Sequence, residues 1–269
     1  MKDYFNKNYE SLLSKKLWLF DMDGTIYLEN TLFDGVINLL NYITNNGGNY
    51  VFVTNNSSRS VKDYVSKLSA MGISVSEDNF FSAAQASTML LLKRHKGELV
   101  YVQGTSSFVE GLKEKGVNVT TTYNESAKAI LVGFDTELTS EKMRVTSKML
   151  TKLNVPYYAT NPDWVCPTDF GYIPDCGSMC FGYEKATGKK HIFIGKPEPT
   201  MINKVIKKYG AKQSQTVVIG DRLYTDIESG VNAGVDTVFV LSGEATLKDL
   251  EESVVKPTYV FNGVWEILR

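Results

Sequence analysis

Two aspartates one residue apart, Asp21 and Asp23, follow the apolar run Leu17–Phe20 in LWLF-DMDGT. Side chains at i and i+2 of an extended chain leave on the same side, so both carboxylates would enter one pocket. A third, Asp221, follows the apolar run Thr216–Ile219 in TVVI-GDRLYTD, and Asp226 lies a little further on. Like charges ~4 Å apart repel by about 4 kcal/mol per pair at an effective dielectric of 20. Such a cluster calls for a cation, and its hard oxygen donors suit Mg²⁺. Lys196, in IFI-GKPEP, adds a positive charge, and Thr54, after YVFV, adds a hydroxyl. A divalent ion, an ammonium, a hydroxyl and free backbone N–H groups together suit an oxygen-rich anion, and phosphate matches best.

An ionised aspartate can attack phosphorus directly and form an aspartyl-phosphate. A second carboxyl group would protonate the leaving oxygen and later take a proton from water. Thr54 would hydrogen-bond a phosphoryl oxygen, and Lys196 would offset charge on the equatorial oxygens. None of this needs a histidine. The chain has only two, His95 and His191, and no HExxH. A histidine-based triad or a His-rich zinc site is not expected.

The elements that must position these residues are readable from hydropathy. The runs Leu17–Phe20, Tyr50–Val53, Leu99–Val102, Ala129–Val132, Ile192–Ile194, Thr216–Ile219 and Thr237–Leu241 read as strands buried on both faces. Between them, Val36/Leu39/Leu40/Ile43, Val61/Tyr64/Val65/Leu68 and Ile202/Val205/Ile206/Tyr209 follow a helical period. The alternation predicts an α/β protein with parallel sheets. In such sheets ligands sit beyond the carboxyl ends of the strands, where Asp21, Thr54, Lys196 and Asp221 lie.

The 269 residues are 43% apolar, with a formal net charge of −1. That length allows one large domain or two small ones. The charge balance argues against a nucleic-acid polymer as partner. No apolar run approaches the ~20 residues that span a bilayer, and no signal peptide is evident in Met1–Leu13. The odd set Cys166, Cys176 and Cys180 reads as reduced thiols rather than a zinc site, and a cytoplasmic location is expected.

DMDGT at Asp21–Thr25, strand-terminal Thr54, Lys196 in GKP and GDRLYTD at Gly220–Asp226 together resemble the haloacid dehalogenase (HAD) superfamily of phosphatases. The four signatures occur in the family's order and span nearly the whole chain. VTNNSSRS, ATNPD and IGKPEP look like the NagD-like and 4-nitrophenylphosphatase subgroup, which carries a C2-type cap. The resemblance implies a Rossmann-like parallel-sheet core with an inserted α/β cap. Residues 1–81 and 182–269 would form the catalytic core, and residues 82–181 the cap that reads the substrate.

It further implies that Asp21 is the nucleophile and a metal ligand. Asp23 is the acid–base and a metal ligand through its backbone carbonyl, and Asp221 completes the protein's Mg²⁺ ligands. Asp226 would brace the site from outside the ligand set. Thr54 and Lys196 would hold the phosphate, with Asp23, Gly24, Asn55 and Asn56 also contacting substrate. The implied activity is Mg²⁺-dependent hydrolysis of a small-molecule phosphomonoester, such as a sugar phosphate, a nucleotide, phosphoglycolate or pyridoxal phosphate. A phosphotransferase would share every one of these residues; a non-catalytic binding protein would have lost some.

Candidate readers of the leaving group are Asn161–Trp164, Tyr172–Cys176 and Asp135. Trp164 could equally be a core aromatic. The chain departs from the subgroup at Tyr27–Asn30, where a glycine is usual, and at Pro174–Gly177. Caps of this kind often carry dimer contacts, which leaves a homodimer open.

Overall fold

The computed structural model of the protein describes residues 1–168 and 170–269. It divides into two compact units. The first comprises Met1–Thr54, Tyr64–Phe81 and Lys196–Arg269, and the second Asn55–Asp63 and Ser82–Gly195.

The first unit is built on a six-stranded sheet. Its order is Tyr259–Phe261, Asp236–Val240, Thr216–Gly220, Leu17–Phe20, Asn49–Thr54 and Phe80–Ser82. The pairings among the first five of these are parallel, with Leu17 opposite both Thr216 and Asn49. All four residues of Leu17–Phe20 are buried, as an unbroken apolar run between helical layers requires. The helices Val36–Asn45, Val61–Ala70 and Thr200–Tyr209 follow the apolar stripes in the sequence, and Val36, Leu39, Leu40 and Ile43 are the buried positions of the first. Just after Asp23, Tyr27–Leu28 and Thr31–Leu32 form a short antiparallel hairpin.

The second unit has its own five-stranded sheet, all parallel. Its order is Ile192–Phe193, Tyr157–Ala159, Ala129–Val132, Leu99–Gln103 and Asn118–Thr120. An antiparallel hairpin, Val165–Thr168 with Gly171–Pro174, belongs to it too. The fold class is therefore the expected α/β one, with a parallel sheet in each unit.

Three expectations about boundaries change. The Ile192–Ile194 run is not a strand of the first unit's sheet; it edges the second sheet, pairing with Tyr157–Ala159. The boundary at 181/182 falls inside the helix Cys176–Thr187, whose Cys176, Cys180 and Tyr183 are buried in the second unit's core. The second unit runs on to Gly195 for both reasons. It also takes in Asn55–Asp63, because Ser57 Oγ hydrogen-bonds Thr160 Oγ1 at 3.1 Å and accepts from Phe134 N at 3.0 Å. Among the described residues no helix is long and apolar enough to cross a membrane.

Candidate active site

The first unit gathers the charged groups that the sequence singles out. Lys196 is 2% exposed. Its ammonium donates to Asp21 Oδ1 at 2.6 Å, Asp226 Oδ1 at 2.5 Å and the Val53 carbonyl at 2.9 Å. Burial alone would lower the pKa of this ammonium, but Asp21 and Asp226 more than reverse this and hold it above the usual lysine range.

Asp221 is equally buried. It accepts from Thr25 Oγ1 at 3.2 Å and from Glu244 N at 2.8 Å. Its carboxylate lies in a slot that only glycine leaves open. A Cβ on Gly24, whose φ is +80°, would come within 2.6 Å of Asp221 Oδ2, and one on Gly243 would strike the same atom. Asp226 sits on a π-helical turn, Leu223–Ile227, a distortion frequent at functional sites. One of its oxygens takes Lys196, and the other accepts from Arg222 N at 3.1 Å. Burial, and then Asp21 beside them, push both Asp221 and Asp226 above the ordinary carboxylate range. At Asp226 the bonded ammonium of Lys196 works against this, and at Asp221 the Arg222 guanidinium does, yet both remain raised.

Carboxylate oxygens of Asp21, Asp221 and Asp226 all lie within 4.8 Å of one another. This donor set of hard oxygens, two of its carboxylates buried and Asp21 partly so, sets three carboxylates against one ammonium and fits a small divalent cation. Asp226, read from sequence as lying outside the ligand set, belongs to the same cluster, though both its oxygens already have partners.

Asp23 stands apart from that cluster, with 37% of its side-chain surface open. The surrounding protein still raises its carboxyl above the usual range by burial, while Lys67 pulls it back. Tyr27 donates its hydroxyl to Asp23 Oδ2 at 3.1 Å. The sequence reading missed Tyr27 and Lys67 as neighbours of Asp23. The signal for Tyr27 was its place in the segment that departs from the family pattern.

Thr54 ends its strand buried, at the boundary of the first unit. Asn55 and Asn56 belong to the second unit, and their side chains have local work there. Asn55 Nδ2 donates to Asp163 Oδ1 at 3.4 Å. Asn56 Oδ1 accepts from Ser58 N at 2.9 Å and Ser58 Oγ at 2.8 Å, an Asx turn.

The expected leaving-group readers divide. Asn161, Asp163 and Asp175 are buried in one network, Asn161 donating to Asp163 at 2.8 Å and to Asp175 at 3.1 Å. Asp135 is buried against Lys142 at 3.0 Å. These groups hold the second unit together. Trp164 and Tyr172 are exposed. Both histidines lie in the second unit, His95 bonding Glu98 and Tyr158, and His191 facing Glu184 at 3.7 Å. The cysteines are free thiols, Cys176 and Cys180 buried and Cys166 partly so.

A family model of haloacid dehalogenase-like hydrolases matches residues 18–118, and a second HAD-hydrolase-like model matches residues 193–267. An acid sugar phosphatase of Staphylococcus saprophyticus is 32% identical over 98% of this chain and 98% of its own length. The chain belongs to the haloacid dehalogenase-like hydrolases. It is similar to the solved 4-nitrophenylphosphatase of Thermotoga maritima, 34% identical with a TM-score of 0.88 over 96% of this chain and 98% of that one. NagD from E. coli K-12 aligns at 30% identity and a TM-score of 0.83 over 94% and 98%. A glycerol phosphate phosphatase from Mycobacterium tuberculosis, solved in complex with magnesium, aligns at 26% identity and a TM-score of 0.86 over 94% and 76%. This HAD hydrolase is a phosphoric monoester hydrolase of the NagD and 4-nitrophenylphosphatase kind.

Proposed function

We propose that this HAD hydrolase cleaves small phosphomonoesters with Mg²⁺, through an aspartyl-phosphate on Asp21. Sugar phosphates are the substrate class that the named relatives favour. The observation that carries the reading is the setting of Asp21: 2.6 Å from the Lys196 ammonium and within 4.8 Å of Asp221 and Asp226.

The Asp21 and Asp221 carboxylates and the Asp23 carbonyl would hold the metal, while Asp226 keeps Lys196 and the Arg222 backbone in place. When bound, Mg²⁺ offsets the charge of these carboxylates and of the incoming phosphoryl oxygens. An Asp21 oxygen attacks phosphorus. The bond to the leaving oxygen breaks, that oxygen keeps the electron pair, and it takes the proton of the Asp23 carboxyl. Asp23, now a carboxylate, takes a proton from a water that attacks the same phosphorus. The Asp21–phosphorus bond breaks, releasing inorganic phosphate and restoring Asp21. Lys196 offsets the phosphoryl charge, the N–H it donates to Asp21 turning to a phosphoryl oxygen as Asp21 attacks, and Thr54 donates to a phosphoryl oxygen.

The test is Asp21→Asn assayed with p-nitrophenyl phosphate, with acid-quench trapping of phosphoenzyme. Turnover should fall to background and no phosphoenzyme should form, with the melting transition retained. Ordinary turnover in this variant would sink the mechanism. Removal of divalent ions with a chelator should silence the wild type, and added Mg²⁺ should restore it. Full activity in chelator would remove the metal from the reading.

A further inference from the structure

Asp23 is held in a clamp of two residues from elsewhere in the first unit. The Tyr27 hydroxyl donates to Asp23 Oδ2 at 3.1 Å. The Lys67 ammonium lies 3.8 Å from the centroid of the Tyr27 ring and 3.9 Å from Asp23 Oδ1. Tyr27 is fully buried and begins the hairpin that follows the first strand. Lys67 comes from the last turn of the helix Val61–Ala70, with 16% of its side chain exposed. A partly desolvated ammonium over an aromatic face is attracted by the ring's quadrupole. It pins the ring and thereby the hydroxyl. A buried tyrosine hydroxyl needs an acceptor, and here it takes one oxygen of a carboxyl group.

Donation to Oδ2 fixes the carboxyl plane and leaves Oδ1 as the oxygen that can carry a transferable proton. The Lys67 ammonium stands beside Oδ1, where negative charge develops once that proton leaves. We infer that Tyr27 and Lys67 are positioning residues that orient Asp23 so that Oδ1 delivers its proton to the leaving oxygen. In that step the phosphorus–oxygen bond breaks, its electron pair stays on the leaving oxygen, and the Asp23 proton moves to it. This rests on the assignment of Asp21 as nucleophile and Asp23 as acid.

The clamp predicts a dependence on the leaving group. A p-nitrophenolate departs without a proton, whereas an alkoxide does not. In a two-step reaction kcat/KM reports events up to departure of the leaving group. The full-length protein with Mg²⁺ is compared with its Tyr27→Phe, Lys67→Met and Lys67→Arg variants, using glycerol phosphate and p-nitrophenyl phosphate. The ratio of kcat/KM for the alkyl ester to that for the aryl ester should fall by about tenfold in Tyr27→Phe and Lys67→Met, part of the roughly 10²–10⁴-fold that proton transfer by a placed side chain contributes. Lys67→Arg should recover part of the ratio. If Tyr27→Phe fails to fold, the part-exposed Lys67 variants decide. An unchanged ratio, with or without an equal fall for both esters, overturns the clamp and leaves a merely structural role. Asp21→Asn separates the two readings. If it is inactive while the clamp variants keep the wild-type ratio, only the clamp fails; if it turns over normally, the nucleophile assignment fails.

Discussion

Lys196 is the residue on which the charge balance of the first unit turns. It bridges Asp21 and Asp226 from a position 2% exposed. Removing one partner of a buried ion pair typically costs about 3–5 kcal/mol, because the other charge is stranded. Lys196→Met should therefore lower the urea midpoint markedly as well as abolish turnover. Adding Asp226→Asn should recover part of the stability and none of the activity. An unshifted midpoint in Lys196→Met would contradict the stranded-charge account. Lys196, Asp21 and Asp221 were legible in sequence because each follows a strand-like run and each is a residue type that phosphate chemistry needs. The companions of Asp23 were not. Nothing in the order of residues says that Lys67, on a helix, reaches the ring of Tyr27, on a hairpin.

At the scale of elements, the loop around Asp221 depends on two glycines from distant segments. Gly24 follows the first strand and Gly243 follows the strand Asp236–Val240, and both leave room for the Asp221 carboxylate. Gly243→Ala should displace that carboxylate while leaving the sheet intact. Changes beyond the metal ligands themselves commonly cost about 10–100-fold in affinity. A loss of this size should appear as a weaker rise in melting temperature on Mg²⁺ titration; an unchanged titration would show that the slot does not shape the site. Long apolar runs and clear helical periods made most elements readable. Short strands such as Asn118–Thr120 and Tyr259–Phe261 were missed because three residues carry little pattern. The Ile192–Ile194 run was readable as a strand, but its place beside Tyr157–Ala159 rather than with the core segment 182–269 was not, since pairing partners are chosen by tertiary packing rather than local sequence.

For the whole molecule, one pH effect on stability arises in the second unit, apart from the shifted carboxyl groups of the first. Burial, partly opposed by Glu184, lowers the pKa of His191 in the second unit. The unfolded chain therefore binds its proton first as pH falls through about 6.5, and the fold loses stability there. His191→Gln should flatten the fall in urea midpoint between roughly pH 7 and pH 5.5; an unaltered slope would assign that fall to other groups. The parallel pairing of Leu17 with Thr216 has a consequence for synthesis. The centre of the first sheet waits for a partner roughly 200 residues downstream, which at ~5–20 residues per second is about 10–40 s of translation. By then the strands of the second sheet have all left the ribosome. The nascent apolar run LWLF can pair early with Asn49–Thr54, but it spends that interval with its other edge open, an edge that a chaperone would protect.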